Sequence, residues 1–111
     1  MQDRLEALLQ FHREDPADTF TRFALATEYR RRGETDRALS FYEQLVADDP
    51  AYVGTYYHLG KLYEEMDRTE DALGVYRAGI RVAGEQRDTH ARAELQSALL
   101  EAQGIGFDDE A

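Results

Sequence analysis

Two stretches of this chain repeat one another at a fixed interval. Leu25, Ala26, Tyr29, Ala38 and Tyr42 stand 34 positions before Leu59, Gly60, Tyr63, Ala72 and Tyr76. A unit of that length accommodates two helices and a turn, and neither helix can bury its apolar face without the other. Residues at i, i+3, i+4 and i+7 share one helix face, and Tyr56, Leu59, Gly60 and Tyr63 make such a stripe. The following helix offers Ala72, Leu73 and Tyr76. The small residues Gly60 and Ala72 should therefore lie at the closest crossing, with Tyr63 and Tyr76 filling the space beside it. Large residues at Gly60 or Ala72 should not fit.

The flanking sequence extends this pattern in both directions. Leu5, Leu8, Leu9 and Phe11 recur at helical spacing from Asp3 to Arg13, which predicts an amphipathic opening helix ending at Glu14-Asp15-Pro16. It holds the place of a second helix from an incomplete unit. Asp18 or Thr19 should cap a helix reaching Arg32, with Gly33 as its stop, and Thr35 a helix running to Asp48. The next unit is entered at Tyr52-Val53, and its first helix ends at Glu64-Glu65-Met66. Thr69 should cap a helix to about Val82, where Gly84 is expected to break the chain as Pro50 does one period earlier. A polar helix from Asp88 to Ala102 then carries Ala91, Leu95, Ala98 and Leu99 on one side. The reading is all-α: an antiparallel helix-turn-helix solenoid of about five helices. It has a single domain over 1–103, divided as 1–16, 17–50, 51–84 and 85–103, and an acidic flexible tail over 104–111.

Charge narrows the partners. With 23 acidic and 13 basic residues the formal net charge is −10, which repels phosphate backbones and argues against nucleic acid. Lys61 is the single lysine, the other 12 basic residues are arginine, and Asn is absent. Two readings stay open: a surface adapted to high salt, as in a halophile, or the arginine bias of a GC-rich genome on an ordinary acidic exterior. No apolar run approaches the ~20 residues that span a bilayer. The first residues lack a signal peptide's basic start and apolar run, and there is no cysteine for a disulfide framework, so a cytoplasmic location is expected.

On these residues the chain resembles the tetratricopeptide repeat family over nearly its whole length, with two full repeats, a leading half repeat and a trailing helix. Arg22 stands where the motif has Trp, Asp67 replaces the turn glycine found at Gly33, and Gly84 replaces Pro. The resemblance implies that the first helices of successive repeats line a concave groove for an extended peptide or a partner helix. With Leu25 and Tyr29 turned to the paired helix, geometry puts Phe20, Phe23, Thr27 and Arg30 on the other face, and the same offset adds Tyr57, Lys61 and Glu64. Aromatic side chains beside cations are the residue types that concentrate binding energy. Phe20 has a second reading, as a cover over Leu5 and Leu8, and Phe23 and Tyr57 stay open between groove and core. The family's grip on a C-terminal carboxylate uses Lys and Asn, and does not carry over to a chain with one Lys and no Asn. Arg30-Arg31-Arg32 occupies a last helical turn, where cations complement the helix dipole.

Nothing in the sequence assembles an enzyme. His12, His58 and His90 lie on separate helices, and Ser40 and Ser97 are the two serines. His90 and Glu94 are too few ligands for a metal site. Asp48-Asp49 and Glu64-Glu65 are adjacent in sequence, point apart, and read as solvated charge. Gly60, Gly74 and Gly79 fall within helices, where close packing accounts for the first. The expectation is a non-catalytic protein-interaction adaptor, without cofactor or metal, binding a protein or peptide as a monomer or weak homodimer. The alternative is a structural homo-oligomer assembled through its terminal helices.

Overall fold

A computed structural model describes residues 3–104, so residues 105–111 of the expected tail lie outside the described residues. Every predicted helical segment is a helix: α1 (Arg4–Glu14), α2 (Thr19–Arg31), α3 (Thr35–Asp48), α4 (Gly54–Glu65), α5 (Thr69–Glu85) and α6 (Thr89–Ala102). Among the described residues the helices number six, slightly above the expected five: one from the leading half repeat, four from two helix pairs and one trailing. The chain divides into two compact units at the Thr55–Tyr56 junction, just inside the start of α4.

In the first unit, local capping sets the ends. Asp3 and Glu6 form a reciprocal capping box at α1, satisfying two backbone donors that the helix leaves unpaired. Asp18 accepts from both the Thr21 amide at 2.8 Å and its hydroxyl at 2.7 Å. These bonds, the hydroxyl's foremost, hold the Asp18 carboxyl below its ordinary pKa. Gly33 ends α2 in the left-handed region, at φ +80°. Thr35 does not cap α3: Glu34 holds the cap position without a side-chain capping bond, and the threonine is the first helical residue. The core consists of Leu8 from α1, Ala24, Leu25, Ala26 and Tyr29 from α2, and Ala38, Tyr42 and Leu45 from α3. Leu25, Ala26, Ala38, Tyr42 and Leu45 are all 0% exposed, as the repeat pattern requires.

Three polar contacts show that α2 and α3 run antiparallel. Thr19 donates to Asp49 at 2.9 Å, Arg22 donates to Asp48 at 2.8 Å, and the hydroxyls of Thr27 and Tyr42 lie 2.9 Å apart. Asp48 and Asp49 are therefore not idle charge, because they fasten the first turn of α2 to the last turn of α3. Arg22, in the position of the motif's Trp, is 8% exposed and uses its aliphatic stem as packing while its head reaches Asp48. Tyr56, one period later, keeps an aromatic at that place and is 2% exposed.

The second unit shows why the helix-interior glycines differ. A methyl group at Gly60 would fall 2.1 Å from the Tyr76 ring, so α4 and α5 touch there almost backbone to side chain. At Gly79 it would fall 2.6 Å from Tyr56 Cβ and 3.0 Å from Leu95 Cδ1, because side chains from α4 and α6 both converge on α5. Gly74 and Gly84 would meet nothing within 4 Å. Gly84 does not break α5, which continues to Glu85. Glycine costs a helix interior about 1 kcal/mol but keeps its N–H, whereas proline removes the donor and clashes with the preceding turn. Reversal comes instead at Arg87, with φ +58°, as it does after α4 at Asp67, with φ +60°. Thr69 is again the first helical residue, behind an Arg68 cap position that makes no side-chain capping bond. On α6, capped by Asp88 through the Ala91 amide at 3.0 Å, Leu95 and Ala98 are buried against α5. No described helix is long and apolar enough to cross a membrane.

Candidate functional site

Phe20, Phe23, Thr27 and Arg30 follow one another at intervals of three and four, so α2 carries them within roughly 80° of arc. Phe20 is 66% exposed. Phe23 is half-buried, with its ring edge-on to Tyr42 at 6.0 Å and Tyr52 at 5.7 Å between centroids. Such pairs fix ring orientation beyond what area burial alone does. Thr27 is exposed and held by the Tyr42 hydroxyl, and Arg30 is half-buried.

On α4, Tyr57, Lys61 and Glu64 are all half-buried on one face. The Lys61 ammonium sits 5.5 Å from the centroid of the Tyr57 ring and 3.9 Å from carboxylate oxygens of both Glu64 and Glu101. Tyr76 donates its hydroxyl to Glu64, so this carboxylate too is positioned rather than solvated at random. The two repeats thus use one device. In each, the fully buried tyrosine of the second helix hydrogen-bonds through its hydroxyl to a polar residue of the first-helix stripe, Tyr42 with Thr27 and Tyr76 with Glu64, although the counterpart of Thr27 one period later is Lys61.

The arginine run at the end of α2 divides its work. Arg31 and Arg32 both bind Glu28, Arg32 through its Nε at 2.8 Å, while Arg4 of α1 approaches the same carboxylate at 3.5 Å and Arg32 reaches Asp3 at 3.6 Å. This network joins the start of α1 to the end of α2. Glu28 is 3% exposed, a burial that the periodicity of α2 does not report; the signal for it is Leu62, one period later and 1% exposed, which marks the position as interior. Hydrogen bonds from Arg31 first and Arg32 second hold the Glu28 carboxyl down at about 2, against 4.5 when unperturbed. Because the folded value is the lower one, this carboxylate stabilises the fold fully above pH about 4.5 and loses that effect as pH falls through about 2. The gap in thermal midpoint between wild type and Glu28→Gln should therefore narrow steadily as pH falls between these limits, read by circular dichroism. A gap independent of pH would remove the network from the account.

The remaining candidates are structural or solvent-facing. His12 packs edge-on to Phe41, 5.5 Å between centroids, and Phe41 stacks on Tyr29 at 6.0 Å. His90 is 90% exposed at 4.0 Å from Glu94. No group of three metal-ligating side chains occurs among the described residues.

A model of the TPR repeat matches residues 26–67, and a second, of the tetratricopeptide repeat, matches residues 55–88. The solution structure of a tetratricopeptide repeat domain protein from Salinibacter ruber is 53% identical, covers 84% of this chain and 94% of its own, and superposes with a TM-score of 0.79. A protein from Bordetella parapertussis, at 24% identity, shares the fold with a TM-score of 0.80 over 93% of this chain and 90% of its own. Protein DIA2 from Eremothecium gossypii is 33% identical over 66 residues, 60% of this chain, and the chain spans 10% of that protein's length. The in-phase helix pairs, the nested small residues and tyrosines, and these matches together make the chain a member of the tetratricopeptide repeat family, helical scaffolds for protein–protein interaction.

Proposed function

We propose that this protein is a non-catalytic adaptor that holds a peptide or helix of another protein against its first-helix stripes, Phe20, Phe23, Thr27 and Arg30 on α2 and Tyr57, Lys61 and Glu64 on α4. The observation that carries the reading is the shared device of the two repeats: a buried tyrosine hydroxyl fixes a polar stripe residue beside a half-buried aromatic in each. Side chains already held in place lose little entropy on binding, so their contacts convert efficiently into affinity. Aromatic rings with neighbouring cations supply anchors of the kind that dominate protein interfaces.

A photo-crosslinking side chain placed at Thr27 or Lys61 should label a polypeptide partner in cell extract, whereas the same group at the exposed Ser40 of α3 or Ser97 of α6 should not. Equal labelling from all four positions would reject the assignment. A second reading, self-association through the terminal helices, is favoured by exposed Phe11 on α1 and Leu100 on α6, 56% and 47% accessible. Sedimentation over a concentration series separates the two, since an adaptor stays monomeric without its partner.

A further inference from the structure

The second unit carries six of the chain's basic residues, and they fall into two groups. Lys61 and Arg68 pair with carboxylates, Arg68 with Asp71 at 2.8 Å. Among the described residues, the guanidinium groups of Arg77, Arg81, Arg87 and Arg92 take part in no ion pair or hydrogen bond, although acidic residues outnumber basic ones in the chain by 23 to 13. Arginine left without a counter-charge in so acidic a chain calls for a reason.

These four are not scattered. Gly74, Arg77, Arg81 and Gly84 share a face of α5 spanning roughly 80°, and both glycines are exposed with nothing near a would-be Cβ. Packing therefore explains neither glycine, while their bareness leaves the backbone between the arginines open to close approach. Gly84 continues this face into a hollow of about 310 Å³ between the end of α5 and the start of α6, lined by Ala83, Gly84, Arg87, Asp88, Thr89 and Arg92. Asp88 already caps α6, so an incoming carboxylate would find its donors in Arg87 and Arg92 rather than in the helix amides. The corresponding hollow at the α2–α3 turn has the opposite character: Glu34 and Asp36 line it, and its Arg37 is paired with Glu34 at 3.7 Å.

We infer that this face of α5 and the hollow at its end form a second docking surface, fitted to an acidic segment of a partner polypeptide. One apolar side chain would enter the hollow beside the exposed Gly84, with carboxylates on Arg87 and Arg92 and further acids along Arg81 and Arg77. Arginine suits this role because its planar donor fork matches a carboxylate. The surface is distinct from the first-helix stripes, so it stands or falls independently of the proposed function.

The test is fluorescence anisotropy with a labelled eight-residue peptide of alternating Asp and Glu around one Leu, titrated with the full chain at low salt. Arg81→Glu/Arg92→Glu should weaken binding roughly tenfold or more, and added salt should weaken it for wild type. The pair Arg13→Glu/Arg37→Glu changes net charge equally in the first unit and should leave affinity within about twofold. Circular dichroism melts confirm that each variant folds. Equal loss from both pairs, or no saturable binding by wild type, overturns the inference. Dimers dissolved by Arg81→Glu/Arg92→Glu in the absence of peptide binding would assign the surface to a second copy and also overturn it. So would peptide binding seen only after deletion of residues 105–111, which would assign the surface to this chain's own acidic end.

Discussion

Alanine at Gly60 will destabilise the protein, and alanine at Gly74 on the next helix will stabilise it. In an open helix interior the exchange is favourable by about 1 kcal/mol, because glycine gives up more backbone freedom on folding. Gly74 is exposed with nothing within 4 Å of the added carbon, so it should show that gain undiminished. At Gly60 the same methyl group would lie 2.1 Å from the Tyr76 ring, which is itself 0% exposed and has nowhere to move. Overpacking of this kind costs roughly 1–3 kcal/mol and occasionally more, and it must first cancel the gain in helix propensity. Gly79→Ala should behave like Gly60→Ala, since Tyr56 and Leu95 close on it from two helices. Chemical denaturation midpoints order the three variants. In a Tyr76→Ala background the penalty at Gly60 should largely vanish, because the clashing ring is gone. A Gly60→Ala variant as stable as wild type would show that α4 and α5 are not in such close contact.

Tyr42→Ala should be the most damaging single truncation in the first unit, at about 3–5 kcal/mol. The ring is fully buried between α2 and α3, makes an edge contact with Phe23, and ends on the Thr27 hydroxyl. A loss of that size is a large part of the 5–15 kcal/mol that holds a typical domain together. Tyr42→Phe should cost no more than about 1 kcal/mol, because the exposed Thr27 hydroxyl can turn to water instead. Equilibrium unfolding of both variants separates ring packing from the hydrogen bond; equal losses would mean that the hydroxyl matters more than the burial.

Helix faces were legible in the sequence because the 34-residue offset shows each of them twice. Leu25 and Leu59, or Ala38 and Ala72, identify the interior by agreeing. Where the two copies disagree, single-helix periodicity was not enough. Glu28 and Leu62 share a repeat position, and the interior suits both only because Arg4, Arg31 and Arg32 surround the carboxylate. The register of α1 against α2 brings Arg4 there, and nothing in the pattern of α2 reports it. Arg22 likewise needed Asp48, near the far end of the next helix, to make its burial intelligible. Gly84 does not act as Pro50 does, because glycine retains its N–H donor and lets α5 run on to Glu85. For the candidate site, helical spacing placed the stripe residues on common faces; the tyrosine hydroxyls that hold Thr27 and Glu64 were not legible, since they arrive from the paired helix.

We propose that half-buried aromatics on the first helix of each repeat anchor another polypeptide. The most direct measurement is the Kd of a crosslink-identified partner for wild type and for Phe23→Ala/Tyr57→Ala, both confirmed folded by circular dichroism at the assay temperature. Truncating two anchor aromatics should weaken binding by roughly tenfold or more. An unchanged Kd in the folded double variant would contradict the account.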